Sequence, residues 1–205
     1  MKLSRAEKRR KVAREAANLI YFGMEKEFKQ AKIKAANALG VNILPANIEV
    51  AEEIDKIADE HEGQARQERL VKMRREALKA MKILEKYNPV LVGSVWRGTI
   101  HRGSDIDIIV FHHEPNDVLR TLEKSNLKIT QTQNVTVTVK GKKHESLHIF
   151  FESPAKEKFE VIVRGFEERL RKEKCDIYGD AITGLDVEEL EKLLEESPTR
   201  RFVPF

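Results

Sequence analysis

The chain has 205 residues, 35% of them charged and 40% hydrophobic, with a formal net charge of +4 and a pI near 9.0. That apolar share excludes a disordered polymer, and the length admits one core with an added part. The single cysteine, Cys175, excludes an intramolecular disulfide framework, and neither an apolar run of about eighteen residues nor an apolar leader is present, so a cytoplasmic protein without membrane association is expected.

From Ser4 to about Leu39 apolar residues recur at helical spacing (Val12, Ala16, Leu19, Ile20, then Phe28, Ala31, Ala35). This predicts one long helix, or two broken near Gly23, ending at Gly40. The run Lys8 to Lys11 reads as a solvated face rather than a site. Asn47 is expected to cap a helix through Ile48, Ile54 and Ile57, with Gly63 separating it from a further helix over Gln64 to Tyr87. At Asn88-Pro89 the pattern changes, because proline blocks helix continuation and Val90 to Val92 opens a strand. A second strand spans Ile106 to Phe111, and Asn116 is expected to cap a short helix ending near Ser125. Strands follow over Leu127 to Lys140, Ser146 to Glu152 and Lys158 to Arg164. Gly165 opens a charged helical stretch to about Cys175, and Asp186 caps a last helix ending before Pro198. The tail TRRFVPF is expected to dock, since exposed Phe202, Val203 and Phe205 would cost apolar burial. The expected organisation is a helical region over 1–88 and a core with C-terminal helices over 89–205.

The stretch Pro89 to Phe111, PVLVGSVWRGTIHRGSDIDIIVF, is poorly suited to packing alone. In a strand Asp105 and Asp107 share a face while Ile106 and Ile108 take the other. Two carboxylates so close repel unless a cation lies between them, and hard oxygen ligands suit Mg²⁺ at about 2.0–2.1 Å per bond. Gly93 permits close approach of a ligand to the backbone, Ser94 adds a hydroxyl, and the N–H groups there suit phosphate oxygens, with Arg97 available for further phosphate charge.

Gly93-Ser94, ten intervening residues, then Asp105-Ile106-Asp107 between apolar runs resembles the signature of the DNA polymerase beta-like nucleotidyltransferase superfamily. The resemblance covers about Pro89 to Gly165 and implies an archaeal-type member. It implies an α/β (α+β) core with a small mixed sheet flanked by helices. The Gly-Ser pair would grip a nucleoside triphosphate, ATP being favoured, and the acids would hold two Mg²⁺ ions, with Mn²⁺ as the substitute. It also implies a third acid on a neighbouring strand, best matched by Glu160 in Phe159-Glu160-Val161, with Glu152 in reserve. The acceptor is not legible in the motif; the basic charge favours RNA over a protein or small-molecule hydroxyl. The oligomeric state has no signal.

Two other readings compete. The core could hold nucleotide without catalysis, as a binding module for RNA or a partner protein. His144-Glu145-Ser146-Leu147-His148 also matches the zinc motif H-E-x-x-H, but that chemistry needs a helix. The strand alternation of VTVTV before it and IFF after it would set the two histidines about 13 Å apart at about 3.3 Å per residue.

Overall fold

The computed structural model describes residues 3–125, 127–139, 142–171 and 173–204. Helix α1 (Arg5–Tyr21) begins at Ser4, whose hydroxyl accepts from the Glu7 N–H while the Glu7 carboxylate accepts from the Ser4 N–H. This reciprocal cap satisfies two donors that the first turn leaves without helical partners. Gly23, at φ 73°, follows the end of α1, and α2 (Phe28–Ala38) runs to the turn at Gly40. Helix α3 (Asn47–Ile83) is kinked at Gly63, where φ is 52° and ψ −133°. Asn47 is not its cap. Ala46 holds that position, with its N–H donated to the Glu49 carboxylate, while the Asn47 amide accepts from Lys32 and donates to the Asp176 carbonyl.

Five strands follow: β1 (Val90–Val92), β2 (Ile106–Phe111), β3 (Lys128–Val139), β4 (Lys142–Glu152) and β5 (Lys158–Arg164). They form a mixed sheet in the order β1-β2-β5-β4-β3, with β2 and β5 parallel and the other pairs antiparallel. The one-turn helix α4 (Gly93–Arg97) links β1 towards β2; α5 (Pro115–Glu123) follows β2, and α6 (Val187–Glu196) lies near the C-terminus. Asp186 caps α6 as expected, accepting from the Glu189 N–H. Asn116 does not cap α5: Pro115 takes the first turn, where its missing N–H costs nothing, and Glu114 precedes it. The helix expected from Gly165 to Cys175 is only a 3₁₀ turn over Phe166–Leu170 with no buried residue, so no apolar face stabilises a longer helix. Strand β4 starts at Lys142, four residues earlier than expected, because it pairs with β3 beyond the limit of β5. Lys140 and Phe205 lie outside the described residues. The rest of the tail docks: the Phe202 N–H donates to the Arg97 carbonyl at 2.9 Å, and its ring stacks near Trp96.

Apolar packing divides inside α3. Its first half, with Val50, Ile54 and Ile57, buries against Val12, Ala16 and Ile20 of α1 and Ala31 and Ala35 of α2. Its second half, from Leu70 to Leu84, joins the core under the sheet with Ile106, Ile108, Val110, Val161 and Leu190. Secondary structure thus changes at Asn88-Pro89, whereas the core changes earlier, near the Gly63 kink.

The connection between Ser94 and Asp105 is held from α3 by three arginines. Arg66 donates to the Ile100 carbonyl at 2.7 Å, Arg69 to His101 at 3.0 Å, and Arg74 to Val95 at 3.1 Å and Trp96 at 2.8 Å. Arg74, fully buried, also reaches the carbonyls of Pro198 at 2.7 Å and Arg200 at 2.9 Å. Burial lowers its pKa to about 10, which still leaves it protonated at neutral pH. A lysine has one compact ammonium and cannot reach four diverging carbonyls. Arg74→Lys is therefore expected to lower the melting temperature by roughly 10 °C, from about 3 kcal/mol of lost charged hydrogen bonds and 2–4 °C per kcal/mol at this size. Calorimetry measures it; an unchanged transition would remove Arg74 from this role.

Candidate active site

Strand alternation sends Ile106, Ile108 and Val110 into the main core and turns Asp107, Ile109 and Phe111 to the other face. Asp105 is exposed one residue before β2. The parallel register of β2 and β5 sets Asp107 beside Glu160, so a residue 53 positions later in the chain reaches the Asp107 face. Glu152, the reserve candidate, faces Lys158 across the ladder and is ion-paired to Lys156 at 3.0 Å. Its carboxylate is thus engaged on β4, one strand further from β2 than Glu160.

Both aspartates are raised, and Glu160 adds to the rise of each. Asp107 is pushed up to about 8, first by desolvation and then by the charges of Glu160 and Asp105. Desolvation also raises Asp105, with Lys158 opposing and Glu160 adding to the rise. Such crowding leaves a carboxyl protonated unless a cation intervenes. Gly93 closes the site from the other side: at φ 70°, a Cβ there would stand 2.0 Å from Oδ2 of Asp107. Only a residue without a side chain lets the turn after β1 approach that carboxylate.

The donor set, carboxylate oxygens that repel one another in a desolvated setting, has the chemistry of a divalent-cation site. As the side chains stand, no three His, Cys, Asp or Glu groups among the described residues converge on one point. Glu160 is directed to a further partner: its Oε1 lies 2.5 Å from Nδ1 of His148, whose Nε2 is 3.0 Å from the Ser146 hydroxyl. His148 on β4 is the diagonal neighbour of Glu160, since Phe150 is directly opposite. The HESLH stretch is thus strand, not helix, and His144 is near Glu168 at 3.4 Å instead of sharing a partner with His148. It lacks the single helical face that zinc-hydrolase chemistry requires. The signal for His148 was present in the chain, but its use depends on the β4–β5 register.

Arg97 is placed differently from the acids. Its guanidinium makes a two-point pair with Asp180 at 2.7 and 3.1 Å and donates to the Phe202 carbonyl at 2.9 Å. It also lies over the Trp96 and Tyr178 rings. Buried and committed to the C-terminal segment, it is not free to neutralise phosphate charge.

A family model described as a nucleotidyltransferase domain matches residues 71–198. The chain belongs to that family. No curated protein matches it. In this nucleotidyltransferase the matched span begins in the second half of α3, where the core under the sheet begins, and takes in Arg74, the Gly-Ser turn and all five strands. Among the described residues no helix is long and apolar enough to cross a membrane.

The raised acid has a stability consequence. Between the ordinary carboxyl value of 3.8 and about 8, the folded chain binds more protons at Asp107 than the unfolded chain does. This contribution to stability is complete below the lower value and is lost as pH rises through the upper one. Asp107→Asn, which stays neutral, should raise the melting temperature in chelator at about pH 9 by on the order of 10 °C or more, at 2–4 °C per kcal/mol, and change it little near pH 4. A pH-independent difference would show that Asp107 is not held as an acid.

Proposed function

We propose that this nucleotidyltransferase moves a nucleoside monophosphate from a triphosphate, ATP being favoured, to an acceptor hydroxyl, releasing pyrophosphate. The observation that carries the reading is the pairing of Asp107 with Glu160 across β2 and β5, close enough to Asp105 that both charges raise Asp107, beside Gly93 in a chain of this family. Asp105, Asp107 and Glu160 would hold two divalent cations, Mg²⁺ or Mn²⁺, which when bound supply Lewis-acid neutralisation of charge on the phosphates.

The chain's own groups then have distinct tasks. The Gly93-Ser94 backbone and the Ser94 hydroxyl bind phosphate oxygens, with Gly93 lying close to Asp107. Asp107 and Asp105 would hold the cations at the strand ends, where the phosphate charge has to be neutralised, and attack on the α-phosphorus has to be in line with the leaving pyrophosphate oxygen. Glu160 takes the proton from the attacking hydroxyl at Oε1 or Oε2, and His148 orients its carboxylate. Arg97 ties the C-terminal segment to the back of the Gly-Ser turn. The net charge of +4 supports a polyanionic acceptor, and RNA is the class we propose. The basic N-terminal helix adds little to that support, because Arg9 is paired with Glu49 and Arg14 with Glu53 and Glu60.

Pyrophosphate release with each of four labelled triphosphates, in the presence of Mg²⁺ and fractionated RNA, tests the reading. Asp105→Asn, Asp107→Asn and Glu160→Gln should each lower the rate by at least about 10²-fold while the chain stays folded by circular dichroism. Full turnover in the Asp105→Asn/Asp107→Asn double variant would sink the assignment. Gly93→Ala should be similarly inactive, since the new methyl and the Asp107 carboxylate occupy one space.

A further inference from the structure

Behind the Gly-Ser turn lies a cavity of about 170 Å³ that the reaction as described does not use. Ile20 of α1, Phe28 at the start of α2 and Ile54 of α3 line it together with Gly93, Ser94 and Cys175. It is therefore built jointly by the N-terminal helices and the phosphate-gripping turn. Its walls are mainly apolar, and three ionisable side chains in them bring no free charge: Arg97 is neutralised by Asp180, burial holds His101 below its ordinary value, towards the neutral imidazole, and burial raises the Tyr178 hydroxyl. The volume is well below the ~300–1,000 Å³ of sites that enclose a whole drug-sized ligand. A triphosphate would be repelled from such walls for want of free cations, whereas one flat, uncharged ring system suits both the size and the chemistry.

We propose that this cavity receives the base of the nucleotide, a neutral heteroaromatic ring, and that the N-terminal helices thereby supply the base-binding wall of the site. The inference rests on the nucleotidyl-transfer reading, because Gly93 and Ser94 are shared: none of Asp105, Asp107 and Glu160 lines the cavity, so phosphates held near the acids leave the attached base free to enter it. It explains why the apolar residues of α1, α2 and α3 approach the turn at all. Phe28 offers an aromatic face.

Cys175, the sole cysteine, is half-buried in the wall and reports occupancy without any substitution. Alkylation of the full-length chain by N-ethylmaleimide is followed with adenosine, guanosine, cytidine or uridine, and separately with inorganic tripolyphosphate. At least one nucleoside should slow the reaction about tenfold at about ten times its Kd, while tripolyphosphate leaves the rate unchanged. Phe28→Ala should raise the nucleoside concentration needed by roughly tenfold, about 1.4 kcal/mol, as expected for loss of an aromatic partner to a base. Protection by tripolyphosphate alone, or by no nucleoside, overturns the proposal. Because the readout is independent of turnover, Asp107-dependent pyrophosphate release without nucleoside protection would discard the cavity while leaving the transferase reading standing.

Discussion

The site depends on carbonyl oxygens that the irregular connection after α4 cannot pair within itself. A segment that leaves a strand, makes one helical turn and returns as a second strand has backbone acceptors without ladder partners, and burying them unpaired would be costly. Arg66, Arg69 and Arg74, disposed along one side of α3, donate to four carbonyls between Ser94 and Asp105, and Arg74 donates to two more in the docked tail. A guanidinium suits the task because its donors fan out in a fixed plane and remain charged even when burial lowers the pKa. The connection is thereby held rigid against α3, and Gly93 and Asp107 are kept within contact of each other.

The second constraint is electrostatic. Parallel pairing of β2 with β5 brings Glu160 beside Asp107 and close to Asp105; Lys158 offsets part of the charge at Asp105, whereas only acids and desolvation act on Asp107. A fold selected for stability alone would not concentrate like charges in a desolvated place, since each raises the cost of ionising the next. The strain is relieved by protonation of Asp107 or by cations, and the second outcome makes the arrangement chemically useful. His148 adds direction, because a carboxylate hydrogen-bonded on one oxygen presents the other in a defined orientation.

Much of the architecture was legible from local pattern. The break near Gly23, the kink at Gly63, the strand pair around the Gly-Ser turn and the Asp186 cap all follow from glycine conformation, alternation and side-chain capping, which act over a few residues. The misplaced caps have separate origins: Asn47 is taken by the distant partners Lys32 and Asp176, whereas Asn116 lies inside a helix that Pro115 already begins. The helix expected after Gly165 fails for a related reason, as a charged stretch of helical propensity has no buried face to keep it.

The sequence by itself determined that two carboxylates open a buried strand shortly after a Gly-Ser turn, because alternation and glycine's conformational range are local properties. It also contained Glu160, Arg97, His148 and the α3 arginines, but not their use. Only the tertiary structure decided that Glu160 adjoins Asp107 while Glu152 pairs with Lys156, that Arg97 serves the C-terminal segment, and that the N-terminal helices wall a cavity against Gly93. Those outcomes depend on strand register and on contacts across long stretches of chain, where the same side chain can satisfy several partners and packing selects one.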